Sequence, residues 1–309
     1  MSEIVAACKF KVTENLGMYL GIPLHHERVT KRSFEYVVDR VSSRLSGWKA
    51  DHLTLAGRIT LAQSVIMTMP NYAMQTNKPP QSTCHEIEQL CINFIWGDTN
   101  TKRRMHLINW GTLCMSKNEG GIGLRKLNLM NNACLNKIGW GVVLKQKGLW
   151  AEVLTHKYIV PRGMENPIKK TGMDSHLWKA LVSICGDMMN RVRWSVGDWQ
   201  KVQFWLDRWS DVDKPLIYHA GCQVLEEDIT KPVVSYVLNE DWNWSILNQM
   251  LPDNILNIIR SIPVPIDNFG RDSTVWGLTA NGQFSILSAY RSLETHTPSG
   301  NANRTWKKI

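Results

Sequence analysis

"RWSVGDWQKVQFWLDRWS", Arg193 to Ser210, places Trp194, Trp199, Trp205 and Trp209 within eighteen residues, with Asp198 and Asp207 among them. Val196, Val202 and Phe204 alternate with Asp198, Gln203 and Trp205 about a Gly-Asp turn, the pattern of a β-hairpin. Such a segment serves as a base-stacking platform, as a carboxylate site for metal ions, or as a local apolar core. A platform needs exposed aromatics interleaved with Lys and Arg. A two-metal centre needs carboxylates converging on ions ~4 Å apart. A core needs neither, and indoles bury large areas.

Charge separates these readings. Residues 1–160 hold 20 Lys and Arg against 11 Asp and Glu, whereas residues 161–309 hold 16 of each. The whole formal charge of +9 therefore sits in the first half, as expected of a surface that meets a polyanion. The tryptophan-rich stretch lies in the electroneutral half, which favours core packing. Asp211 and Asp213 are one residue apart, but the segment runs into Lys214-Pro215 and has no partner motif, so a metal is not expected there. Length and a 43% hydrophobic content admit two domains with real cores.

Seven cysteines, widely spaced and without a CxxC pair, support neither a zinc ribbon nor a disulfide framework. They read as reduced thiols of an intracellular protein, nuclear or cytoplasmic. No secretory signal opens the chain, and no apolar run reaches the ~18 residues of a membrane span.

In "KRSFEYVVDRVSSRLSGW", Phe34, Val37, Val38, Val41, Leu45 and Trp48 share one helical face, and Arg32, Arg40 and Arg44 lie on another. Leu55, Ile59, Ala62, Ile66 and Met69 repeat the pattern up to Pro70. A third helix is expected from Thr83, with Glu86 completing a capping box, to Trp96-Gly97. "KRRMHLINW" reads as extended, "NEGGIGLRK" as a turn leading into a further helix, and Trp244 to Ile259 as a weaker helix. Asn281-Gly282 is expected to join two strands. The fold class is thus mainly α in the first half and α+β in the second, with a Trp-rich hairpin. Glycines 120, 121 and 123 lack the spacing and terminal Lys-Ser/Thr of a phosphate loop, no GxSxG elbow occurs, and His25-His26 stand without an HExxH motif. No adjacent aspartate pair of the polymerase kind is present.

Several blocks nonetheless follow one another in a familiar order: "YLGIPL" from Tyr19, "RLSGWKADHLTLAGRITLAQSVIMTMPNYAM", "INFIWGD", "HLINWGTLCMSKNEGGIGLRKLNLMNNACLNKIGW", "HKYI", "WSVGDWQKVQFWLDRW" and "TANGQFSILSAY". From about residue 16 to about residue 291 the chain resembles the C-terminal part of plant LINE-type, non-LTR retrotransposon reverse transcriptases, whose members are often labelled ribonuclease H or reverse-transcriptase zinc-binding proteins. The resemblance implies that residues 1–29 enter from a palm and primer grip, and that 30–160 form a thumb-like helical bundle. It implies a Trp-rich α+β region over 161–275, and the truncated start of a zinc-binding-like region with a frayed tail over 276–309. The catalytic palm is expected before Met1 and the zinc ligands beyond Tyr290, so the chain alone is expected to be catalytically incompetent. Where the family commonly has glycine after Val-Gly-Asp, this chain has Trp199.

Seven residues are therefore candidates for tracking a nucleic-acid backbone: Arg32, Arg40 and Arg44, Arg58 beside the next apolar face, and Lys102, Arg103 and Arg104 in a loop. The expected partner is RNA or an RNA–DNA hybrid, with no catalytic residue, metal or cofactor. The alternatives are a recruited protein-interaction module or a pseudogene product.

Overall fold

The computed structural model of the protein describes residues 17–19, 21–23, 29–48, 50–98, 103–159, 170–264 and 270–294. A two-residue ladder, β1 (Met18–Tyr19) with β2 (Ile22–Pro23), turns at Gly21, whose φ is +79°. Helix α1 (Glu35–Ser46) then buries Val37 and Val41 beside Phe34, with Val38, Leu45 and Trp48 packed against the same core. Helix α2 (Leu55–Leu61) is capped by the Thr54 hydroxyl, which accepts from the Gly57 amide. It widens into one π-helical stretch, Ala62–Ile66, where the Met67 amide reaches back to the Ala62 carbonyl at 3.0 Å. A turn through Pro70 leads to α3 (Asn71–Met74).

Helix α4 (Gln81–Trp96) starts two residues before the expected Thr83. Pro80 stands at the entry and presets it, so Thr83 lies in the first turn with its hydroxyl buried and unbonded, and Glu86 pairs with Lys31 at 2.7 Å instead of closing a box. The helix stops at Gly97 in the left-handed region, as the Trp96-Gly97 reading required. Residues 103–109, expected to be extended, form no strand. Helix α5 (Trp110–Cys114), capped by Asn109, precedes α6 (Leu127–Val143). The first amide of α6 is capped from another helix: Leu127 N–H donates to the buried Glu88 carboxylate at 2.8 Å. Helix α7 (Leu149–Leu154) continues as a π-helical stretch to Ile159, and α8 (His176–Met189) is capped by Ser175.

The second half comprises β3 (Val192–Ser195), α9 (Glu226–Ile229), β4 (Val237–Leu238), β5 (Asp241–Trp242), α10 (Trp244–Met250), α11 (Asp253–Arg260), β6 (Ser273–Trp276) and α12 (Ile286–Glu294). The molecule is mainly α in its first half and α+β in its second. The expected hairpin about Gly197-Asp198 is replaced by a long-range pairing: β3 runs antiparallel to β6, with Val192 opposite Trp276 and Ser195 opposite Ser273. The Gly197 backbone packs so closely on Gly270 that a Cβ there would stand 2.4 Å from its carbonyl oxygen, and the chain returns to β3 at Arg208, whose carbonyl accepts from the Trp194 amide at 3.3 Å. A hairpin does form at β4–β5, where Asn239 and Glu240 both take positive φ, 52° and 63°. The expected helix from Trp244 to Ile259 is two helices, interrupted at Leu251-Pro252. Asn281-Gly282 does make a turn, with the Trp276 amide donating to the Gly282 carbonyl at 2.8 Å, but helix α12 follows it in place of a second strand. Among the described residues no helix is long and apolar enough to cross a membrane.

Candidate nucleic-acid interface

With ~100° of rotation per residue, Arg40 and Arg44 project from one flank of α1, and Ser42 and Ser46 from the opposite flank. Arg32, Arg40 and Arg44 are all exposed, and among the described residues none of them pairs with a carboxylate. The Arg44 guanidinium lies over the Trp48 ring, 5.7 Å from its centroid, which steadies it and leaves its charge unneutralised. Burial pushes the Tyr36 phenol up, and Arg40 on the same flank pulls it down. The neighbouring cation, Lys31, is already committed to Glu86.

The other candidates behave differently. Arg58 is half-buried, and its Nη1 donates to the Ala50 carbonyl at 3.2 Å. A Cβ on Gly97 would stand only 2.7 Å from that nitrogen, so Arg58 is wedged at the C-terminal end of α4, where helix carbonyls favour a cation. It holds the bundle together and does not reach outward. Arg104 donates to Asp51 at 3.5 Å, while its backbone amide donates to Asp98 at 2.8 Å. Arg103 and Arg104 line a groove of about 1130 Å³ with Trp48, Asn93, Asp98 and His106, on the Ser42–Ser46 side of α1. There His106 Nε2 meets Asp98 Oδ2 at 3.1 Å, and the Trp96 ring stacks on the imidazole. Two arginines facing two aspartates make this groove nearly neutral. Lys102 lies outside the described residues. The structure therefore separates the candidates into an open arginine flank, an internal wedge and a charge-balanced groove.

The tryptophan segment is core. Trp199, Trp205 and Trp209 are 3%, 0% and 7% exposed, and Trp194 packs against them. Trp205 Nε1 donates to the Tyr236 hydroxyl at 2.8 Å, and Trp209 Nε1 donates to the Phe204 carbonyl at 2.9 Å, so the buried indoles keep their polar edges satisfied. Asp207 accepts from the Gln203 amide at 2.8 Å, and burial pushes its carboxyl up. Among the described residues no three His, Cys, Asp or Glu side chains gather as a metal site needs. Cys84 and Cys91 are buried thiols pushed up to about 12 by burial, with Glu88 adding to the effect.

The Asp272 carboxylate belongs to no local sequence motif. It is 6% exposed and sits inside the loop that follows β3: Oδ1 accepts from the Gly197 and Trp199 amides at 2.7 and 2.9 Å, and Oδ2 from the Lys201 amide at 2.9 Å. The loop is thus an anion nest already filled by the protein's own aspartate. Its donors are more than seventy residues away in the chain, beyond any local pattern. The glycine-rich turn is equally occupied. The Gly121 and Gly123 amides donate to the Ser116 and Met115 carbonyls at 2.9 and 3.0 Å, leaving no cradle for a phosphate.

The chain is similar to two proteins of Arabidopsis thaliana. It is 32% identical over 275 residues to one named "Putative ribonuclease H protein", covering 88% of this chain and 44% of that protein. It is 26% identical over 151 residues to an "Uncharacterized mitochondrial protein", covering 48% of this chain and 97% of that protein. The chain thus spans less than half the length of the first relative. No protein-family model matches it.

Proposed function

We propose that the chain is a thumb-like part of a plant LINE-type retrotransposon reverse transcriptase, and that it grips the nucleic-acid duplex by its phosphates. The observation that carries this reading is the open flank of α1. Among the described residues Arg32, Arg40 and Arg44 stand exposed and without carboxylate partners, in the half of the chain that holds all of its net charge. An arginine fork without an internal acceptor offers parallel donors to phosphate oxygens. The ordered sequence blocks and the similarity to a plant protein carrying the ribonuclease H name support the same origin. The proposal assigns holding and positioning to these residues, and no bond-making chemistry.

Binding of an RNA–DNA hybrid across a salt series tests it. Arg40→Ala/Arg44→Ala should weaken binding to all sequences alike, and lower the log-affinity against log-salt slope by about one unit per lost contact. Arg58→Ala should instead lower thermal stability and leave the slope in place. An unchanged slope in the double variant would remove the arginine flank from the interface.

A further inference from the structure

A second groove, about 1390 Å³, opens between α6, α7 and the segment from Gly282 to Ile286. One part of its lining is Trp150, still 44% exposed. Its seat is made by glycines: a Cβ on Gly141 would stand 2.6 Å from the indole Cη2, and one on Gly148 3.3 Å from Nε1. Tyr19, 65% exposed, lines the same groove, and so do Trp140 and Phe284, whose rings stack with centroids 6.4 Å apart. The one charged side chain among the described lining residues is Lys137. Exposed Lys145 and Lys147 bracket Gln146 on the lip, and Glu152 of α7 does not line the groove.

We propose that this groove takes a short single-stranded nucleic-acid segment, its bases stacked on Trp150 and Tyr19 and its phosphates met by Lys137, Lys145 and Lys147. Exposed aromatics beside amines, with no carboxylate in the lining, are the combination that holds single strands without regard to sequence. The side-chain amides of Gln75, Gln146 and Gln283 at the same lining answer to base edges. An apolar peptide helix would match the floor but would have no use for the lysines. The inference rests on the nucleic-acid reading above and places single strand and duplex on different surfaces.

Fluorescence anisotropy with a labelled oligothymidylate and, separately, a blunt RNA–DNA hybrid tests it. Trp150→Ala should weaken oligothymidylate binding roughly tenfold or more and leave hybrid binding unchanged, with Trp150→Phe retaining most of the affinity. Lys145→Gln/Lys147→Gln should lower the single-strand salt slope by roughly 0.7 per lost contact. Arg40→Ala/Arg44→Ala should give the reverse pattern. Unchanged oligothymidylate affinity in folded Trp150→Ala, or no single-strand binding by the unaltered chain, would overturn the inference and leave the duplex reading standing. Single-strand binding without hybrid binding would keep the groove and remove the duplex reading.

Discussion

Trp199 carries a backbone that its side chain ordinarily disfavours. Its φ is +55°, in the left-handed region that favours glycine, and holding a bulky residue there costs about 1–2 kcal/mol. Three contacts hold it. The indole packs edge-on against Trp209 and Trp242 at 5.3 and 5.6 Å, and the amide donates to Asp272. Trp199→Gly should therefore release the strain yet still destabilise, by about 2 kcal/mol net, because a buried Trp is worth about 3–5 kcal/mol. A stabilised variant in urea denaturation would mean that the indole contributes little. Asp272 supports a sharper test. Burial pushes its carboxyl up, but the amides of Gly197, Lys201, Trp199 and Val202 outweigh burial and hold it below the ordinary aspartate value. A depressed folded-state value stabilises fully above the unfolded value of ~3.9, and that contribution fades as pH falls toward the folded value. Asp272→Asn keeps an acceptor for Gly197 and Trp199 but sets an amino group against the Lys201 N–H, at a cost of about 2–4 kcal/mol near neutrality. The gap between this variant and the unaltered chain should narrow below pH ~4 in denaturant titrations; a constant gap would show that the nest does not depend on charge.

At the scale of elements, local chemistry was legible where burial follows a helical period. The stripe from Phe34 to Trp48 and the stop at Trp96-Gly97 stand where the spacing puts them. What local spacing does not encode is a partner distant in the chain. The cap of α6 comes from Glu88, the partner of β3 is β6, and α12 docks through Tyr290, whose hydroxyl accepts from the Lys126 amide at 3.0 Å. The basic candidates divide on the same ground. A sequence shows which arginines leave an apolar stripe, but not that Asp51 waits for Arg104 or that Gly97 leaves room for Arg58. The turn from Met115 to Leu124 is held by a Ser116–Glu119 capping box, by the Gln63 side chain on the Ile122 carbonyl, and by close backbone contact. A Cβ on Gly121 would stand 2.0 Å from the Met115 carbonyl oxygen, and no side chain can yield there. Gly121→Ala should cost about 3 kcal/mol. Gly123→Ala, whose Cβ meets open space but whose φ is +74°, should cost about 1–2 kcal/mol. Equal melting temperatures for the two variants would contradict this ordering.

For the molecule as a whole, α6 is shared by several cores. Leu127 belongs to the core of α1 and α4; Met130, Cys134 and Trp140 pack with Trp276 and Tyr290; Leu135 packs with Tyr158, Trp178 and Ile184. The tryptophan core is built differently. Among the described residues every one of its members, from Trp194 to Val264, comes from one continuous stretch, and it meets the rest of the fold through the β3–β6 ladder, Asp272 and the Arg208 guanidinium on the Asn190 carbonyl. A core supplied by one stretch can open without dismantling helices that contribute nothing to it. Trp205→Ala, which empties a fully buried site, should cost about 3–5 kcal/mol, and the loss should fall on that stretch alone. In native-state hydrogen exchange, protected amides around Val233 and from Leu247 to Ile259 should exchange far faster in the variant. Those in the middle of α4 and α6 should keep their protection. Equal loss in both regions would show that the fold unfolds as one unit and that the ladder transmits stability across it.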